Sequence, residues 1–298
     1  AKGREQQARG QREGECQQVL AQLLGDLRRG ARQHDEGLRK NEHGASEQRQ
    51  AERQPDRLVQ LLARGFIAFG AEQLADELQL STLQHEVAAR VAEKMHVSRS
   101  LINRLRAGKA GTIERLRSDR HAMALYSAEE VLEAAAKGNV VIRGWGATQL
   151  LRTVPHIPCI RIMRPFDKRV QWLMDQIDTD DRSVAEAEIR RSDEANASRM
   201  HDQFGVQWNE PVLFDMVLNT DRLSVDTCVQ MVRTLLERPE FAETEPSRAL
   251  LQGLALSAHV RAALRAHEET RGVDITIDAR DGQLTLRGIV ADESERSA

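Results

Sequence analysis

Aromatic side chains are scarce. Tyrosine occurs once, tryptophan three times and phenylalanine six times in 298 residues, 3% in all, so any core must be built from Leu, Val, Ile and Ala, a palette that suits helices and helix-covered sheets. Cysteine is rare too. Cys16, Cys159 and Cys228 lie far apart, include no C-x-x-C pair and leave an odd count, which argues against a disulfide framework or a zinc cluster and fits a reducing compartment. No run approaches the ~18 apolar residues of a membrane-spanning helix, and the opening AKGREQQARGQREGE holds no apolar stretch of the kind found in a secretory leader. The expectation is a soluble, cytoplasmic chain without a membrane span. An excess of charge of one sign is missing as well: 43 Lys and Arg against 46 Asp and Glu leave a net charge of −3 and a pI near 6.4, so the chain as a whole has no electrostatic pull toward nucleic acid or an anionic membrane, and only local patches remain open.

What is present divides unevenly along the chain. Residues 1–57 are crowded with Gln, Arg, Glu and Gly and hold no aromatic residue, a composition that reads as a polar arm, largely disordered or helical, with one short helical pattern at Val19–Leu24. Apolar side chains then concentrate between Leu58 and Phe69, where a globular domain over 58–239 is expected to begin. Within it, LQHEVAARVAEKM and SRSLINRLR read as helices, Ser127–Glu130 as a capping box for VLEAAAKG, Asn139–Ile142 and Ile160–Met163 as short β-branched strands, and Ser183–Glu186 as another helix start. Phe214–Leu218 reads as a third strand and Ser224–Leu236 as a helix. Helix and strand in alternation predict a parallel α/β sheet. Residues 240–248 read as a linker. Over 249–298 an amphipathic helix is followed by two alternating segments around Arg280-Asp-Gly282, a hairpin pattern that predicts a small α+β unit.

Chemistry in such a sheet is sought first at glycine turns between strand and helix, where backbone N–H groups can cradle phosphate. Gly65-Phe-Ile-Ala-Phe-Gly70 has that context but lacks the lysine and further glycine of a phosphate loop. Ala107–Thr112 contains Gly-Lys, but Ala110 stands where a Mg²⁺-binding hydroxyl belongs and no strand precedes it. A different signal runs over Glu86–Lys109: Ala92, His96-Val97-Ser98-Arg99 and Ile102 have helix-turn-helix spacing, and about nine Lys and Arg face four Asp and Glu between His85 and Arg120, which raises DNA as a partner.

Three later segments, NVVIRGWGA from Asn139, RIMRPFDKR from Arg161, and FGVQWNEP from Phe204 leading to DMVLNTDRLS, resemble the cytidylate kinase-like family over about Gly65 to Arg238. The resemblance implies the P-loop nucleoside monophosphate kinase fold, a parallel sheet flanked by helices with its nucleotide site at the strand carboxyl ends. It further implies phosphoryl transfer from ATP, carried with Mg²⁺, to CMP or dCMP. In register it makes Arg182 a lid arginine over the phosphates, Asp193 an acceptor for the cytosine amino group and Arg199 a phosphate ligand. Gly65, Gly70, Arg143 and Trp145 fall at the nucleotide. Trp145 and Asn196 stand where family members often carry arginine, so Trp145 reads either as a core aromatic or as a stacking platform for a base. The C-terminal segment, with Gly272-Val and Leu286-Arg-Gly-Ile-Val, resembles part of a BON domain and implies a protein-interaction module. Three functions remain open: a working kinase of bacterial type, a nucleotide-binding pseudo-kinase acting as sensor or scaffold, and a helix-turn-helix DNA-binding regulator.

Overall fold

A computed structural model of the chain describes residues 58–62, 75–76, 78–267, 270–271, 275–280 and 283–288. The arm over 1–57, with its helical pattern at Val19–Leu24, and the Gly65–Gly70 turn lie outside these residues. By its internal contacts the chain divides into a larger unit, Asp56–Ala266 with Ile277–Thr285, and a smaller one, Ala1–Pro55, His267–Thr276 and Leu286–Ala298.

Five strands of the larger unit form one parallel sheet: β1 (Leu58–Leu62), β2 (Ser81–Leu83), β3 (Val140–Arg143), β4 (Cys159–Met163) and β5 (Met216–Asn219), in the order β2-β3-β1-β4-β5. β1 is flanked on both sides, with Leu58 opposite Val140 and Gln60 opposite Cys159. The chain leaving β1 runs toward β2, and that leaving β4 runs toward β5, so the crossover direction reverses at the sheet centre, where open α/β sheets form their ligand crevice.

Helices cover both faces because successive residues of a buried strand point to opposite sides. On β3, Val140 and Ile142 enter a cluster with Val87, Val91, Ile102, Val131 and Leu151, while Val141 joins Ile160, Leu218, Cys228 and Val229 on the other side. The first layer is built from α1 (Glu86–Lys94), α2 (Arg99–Arg106), α4 (Arg120–Lys137), α5 (Ala147–Leu151) and α9 (Glu245–Ala266), with the six-residue α3 (Thr112–Arg117) between α2 and α4. α8 (Val225–Leu236) covers the second face. α6 (Phe166–Ile177) and α7 (Arg182–Phe204) pack together through Val170, Ala185 and Ile189.

Several helix starts lie elsewhere than expected. Ser127 caps nothing: Asp119 accepts from Ala122 N and starts α4 about two turns earlier, leaving the Ser127 hydroxyl to donate to the Met123 carbonyl at 2.6 Å inside the helix. Asp181, accepting from Ser183 N, caps α7 in place of Ser183. The segment 240–248 is a 3-10 turn, Pro239–Phe241, followed by the start of α9. Thr244 and Ser247 exchange side-chain bonds with each other's backbone N–H at 3.3 and 3.0 Å, and Pro246 is tolerated in a first turn, where its missing N–H has no partner to lose. Thr-Glu-Pro-Ser is thus a helix start. Met216–Asn219 forms the strand expected at Phe214–Leu218, two residues later, and Ser224 caps α8 as its position implies. Beyond α9, β6 (Ile275–Arg280) and β7 (Gln283–Gly288) form a two-stranded sheet.

A charge cluster joins three helices. Glu129 and Glu130 of α4 are buried, at 5% and 4% exposure. Lys94 of α1 reaches both, at 2.7 and 2.6 Å, Arg90 pairs with Glu130 at 3.0 Å, and His259 Nδ1 of α9 lies 2.8 Å from Glu129. Burial pulls the Lys94 pKa down, but its two carboxylates outweigh that and hold it above the usual value.

Candidate nucleotide cavity

β3 leaves the sheet through Gly144-Trp145-Gly146, three consecutive residues with φ of 80°, 60° and 70°. Glycine takes this left-handed conformation freely, but tryptophan does so at a cost of order 1–3 kcal/mol, so surrounding contacts must hold it. They do: the indole Nε1 donates to the Gln84 carbonyl at 2.8 Å, and the Arg106 guanidinium lies 3.4 Å from the ring centroid. Trp145 is 8% exposed. With one face covered by Arg106, it acts as a packed wall that orients a cation, which favours the core-aromatic reading over the stacking platform.

Trp145 borders a cavity of about 760 Å³ between α2, α4, α7 and α9. Six arginines line it, Arg106, Arg115, Arg120, Arg191, Arg199 and Arg261, against two carboxylates, Glu194 and Asp202. Arg191 pairs with Glu188 at 3.0 Å and Arg120 approaches Asp202 at 3.9 Å. Arg115 donates to the Gly108 carbonyl at 2.7 Å. Arg199 donates to the carbonyl of Arg106 at 3.0 Å and to Asn196 Oδ1 at 2.6 Å. These acceptors are neutral, and burial lowers the Arg199 pKa to about 10. Among the described residues no carboxylate compensates it. A half-buried cation bonded to neutral oxygens keeps capacity for stronger, charge-assisted hydrogen bonds to an anion.

The residues expected at the site are not all brought together. Trp145 and Arg199 share this cavity. Asp193 does not border it, because six residues of helix turn it about 240° around α7 from Arg199. Arg169 grips it at 3.0 and 2.8 Å. Arg182 is half-exposed and tied to Asp167 and to Glu186. Arg143 ends β3 half-buried, outside the cavity lining. Arg106, Phe204 and Arg261 are not among the expected site residues: Arg106 sits in the basic run from His85 to Arg120 and Phe204 opens the FGVQWNEP segment, whereas nothing in the sequence pattern marks Arg261.

In the segment with helix-turn-helix spacing, α1 and α2 meet at a tight turn. His96 turns between α1 and α2 with φ of 54°, Ser98 caps α2 by accepting from Leu101 N, and Ala92 and Ile102 are buried. Its outer cations are largely engaged: Arg104 pairs with Glu114, and Lys109 with Glu188 at 2.6 Å, which removes charge that a phosphate backbone would need. No helix among the described residues is long and apolar enough to cross a membrane.

The chain is similar in sequence and fold to several known proteins. A cytidylate kinase from Staphylothermus marinus is 26% identical over 107 residues, 36% of this chain and 59% of that protein; the chain thus spans under two thirds of this curated relative. Among solved structures, an uncharacterized protein from Eubacterium ventriosum aligns with a TM-score of 0.48 at 16% identity, and shikimate kinase from Bacteroides thetaiotaomicron with 0.37 at 13%; each alignment covers 61% of this chain and 98% of the other. The model of the cytidylate kinase-like family matches residues 70–222, a span that takes in β2 to β5, the Gly144–Gly146 turn and Arg199. With about half of its residues inside that match, the chain belongs to the cytidylate kinase-like family.

Proposed function

We propose that the chain is a nucleoside monophosphate kinase-like phosphotransferase, acting from ATP–Mg²⁺ on CMP or dCMP. The single observation that carries this reading is Arg199, half-buried and uncompensated by any described carboxylate, in a cavity lined by arginines together with Trp145 and Phe204. The phosphate of the acceptor nucleotide would replace neutral oxygens as the partner of Arg199, and charge-assisted bonds of that kind are roughly twice as strong as neutral ones. Phosphoryl transfer passes through a state with charge spread over the moving group, so catalysis consists of holding both nucleotides in line and supplying cations. Mg²⁺ belongs to the ATP as substrate. The C-terminal helix and hairpin are read as a BON-like module for a protein partner.

One observation favours a second reading, nucleotide binding without turnover. Arg182 and Asp193 are held by Asp167, Glu186 and Arg169, so neither faces the cavity. The test is CMP-dependent ATP consumption with isothermal titration of CMP. Arg199→Ala is expected to weaken CMP binding by about 10- to 100-fold, the worth of a hydrogen bond to a charged group, and to abolish turnover. Binding that is lost without any turnover in the parent chain would establish the pseudo-kinase, and unchanged CMP affinity in the variant would overturn both readings.

A further inference from the structure

Helix α9 lies wholly beyond the family match, which ends at Arg222, yet it lines the cavity. Its cations divide into two kinds. Arg265 pairs with Asp119 at the cap of α4, and His259 with Glu129; these fix the helix in place. Arg261, between them, has no carboxylate partner among the described residues. Its guanidinium donates to the Ile277 carbonyl at 3.4 Å, a long bond to a neutral oxygen. The side chain stands at the wall shared by the arginine-lined cavity and a second one of about 380 Å³ lined by Leu132, Leu250 and Leu254. Gly253 explains how that carbonyl comes so near: a Cβ there would meet the Ala279 carbonyl oxygen at 2.7 Å, so the β6 backbone rests directly on α9.

We propose that Arg261 is a phosphate-binding residue of the nucleotide cavity, supplied by the C-terminal part of the chain, with the Ile277 carbonyl holding the guanidinium at the cavity wall until an anion takes it. The proposal rests on the nucleotide reading above and adds a binding group from outside the matched segment. A phosphate oxygen outcompetes a carbonyl at the far limit of hydrogen bonding because its negative charge shortens and strengthens the bond. A fixed helix carrying a loosely held arginine meets the requirement of a binding group that reorients without moving its scaffold.

The experiment is calorimetric titration of CMP, and separately of cytidine, into the full chain, Arg261→Ala and Arg261→Lys, with melting temperatures recorded for all three. Arg261→Ala is expected to weaken CMP at least tenfold while leaving cytidine affinity and melting unchanged, and Arg261→Lys to restore part of the loss. Equal CMP affinity in the parent chain and Arg261→Ala would overturn the role of Arg261 and leave the nucleotide reading standing. Equal weakening of CMP and cytidine would also overturn it, since a phosphate ligand acts on one and not the other. A parent chain that binds no CMP overturns the nucleotide reading and this proposal together.

Discussion

At the scale of single residues, the Gly144–Gly146 turn sets the geometry of the cavity. Gly146 needs its lack of a side chain twice over: its φ is 70°, and a Cβ would stand 2.7 Å from the Phe204 ring. Gly146→Ala is therefore expected to cost about 1–3 kcal/mol from backbone strain alone, with the displaced ring adding to it, read as a lower urea midpoint. The motif GWG was visible in the sequence, and so was the choice between core and platform for Trp145. What the sequence could not supply was Arg106 lying over the indole, because 39 positions separate the two in the chain and no periodicity links α2 to a strand end. The same holds for Asp193: its position on the helix was legible, but its pairing with Arg169, 24 positions away, was not.

At the scale of elements, the α4 carboxylates organise the first helical layer. Removing Lys94 leaves Glu129 and Glu130 adjacent and buried, with His259 and Arg90 as their remaining partners among the described residues. Lys94→Met is expected to cost about 3 kcal/mol in chemical denaturation, at the low end for breaking a buried pair because a third of the Lys94 side chain remains in water. A drop below about 1 kcal/mol would show that Arg90 and His259 suffice. The positions of β3, β4 and β5 were readable to within two residues because β-branched runs bounded by Gly or Pro carry their own signal, whereas β1 and the three-residue β2 were not marked as strands. Helix starts were less so. Ser127 and Ser183 have capping-box spacing, but an aspartate upstream of each offers a stronger acceptor, and the helix starts there. Thr244–Ser247 looked like a linker since Thr, Glu, Pro and Ser serve loops and first turns equally well.

At the scale of the molecule, α9 is bound to the sheet domain through a titrating contact. The hydrogen bond to Glu129 raises the His259 pKa above 6.5; burial opposes this, Glu133 adds to it and Lys94 opposes it. A raised pKa means that the folded state holds the proton more tightly than the unfolded one. The contribution is therefore full below about pH 6.5 and is lost as pH climbs through the raised value. Relative to His259→Gln, the parent chain is expected to melt higher at pH 6, with the gap closing by pH 9; a constant gap would show that the contact does not titrate. The parallel sheet and its family were legible because motif segments sit on β3, β4 and β5. The contribution of α9 was not, since its polar face resembles any solvated helix until Asp119, Glu129 and Ile277 are seen against it.

The strand order carries one more consequence. β1 is made first during synthesis but lies third in the sheet, and its partners begin at Val140 and Cys159. It must wait about eighty residues for one neighbour and a hundred for the other, a long-range closure of the kind that slows folding and exposes strand edges meanwhile. A protease cut or a shortened gene that removed Leu58–Leu62 would take away the centre plank, leaving β2–β3 and β4–β5 as separate pairs, and a pair of strands is below the number that holds together alone in water.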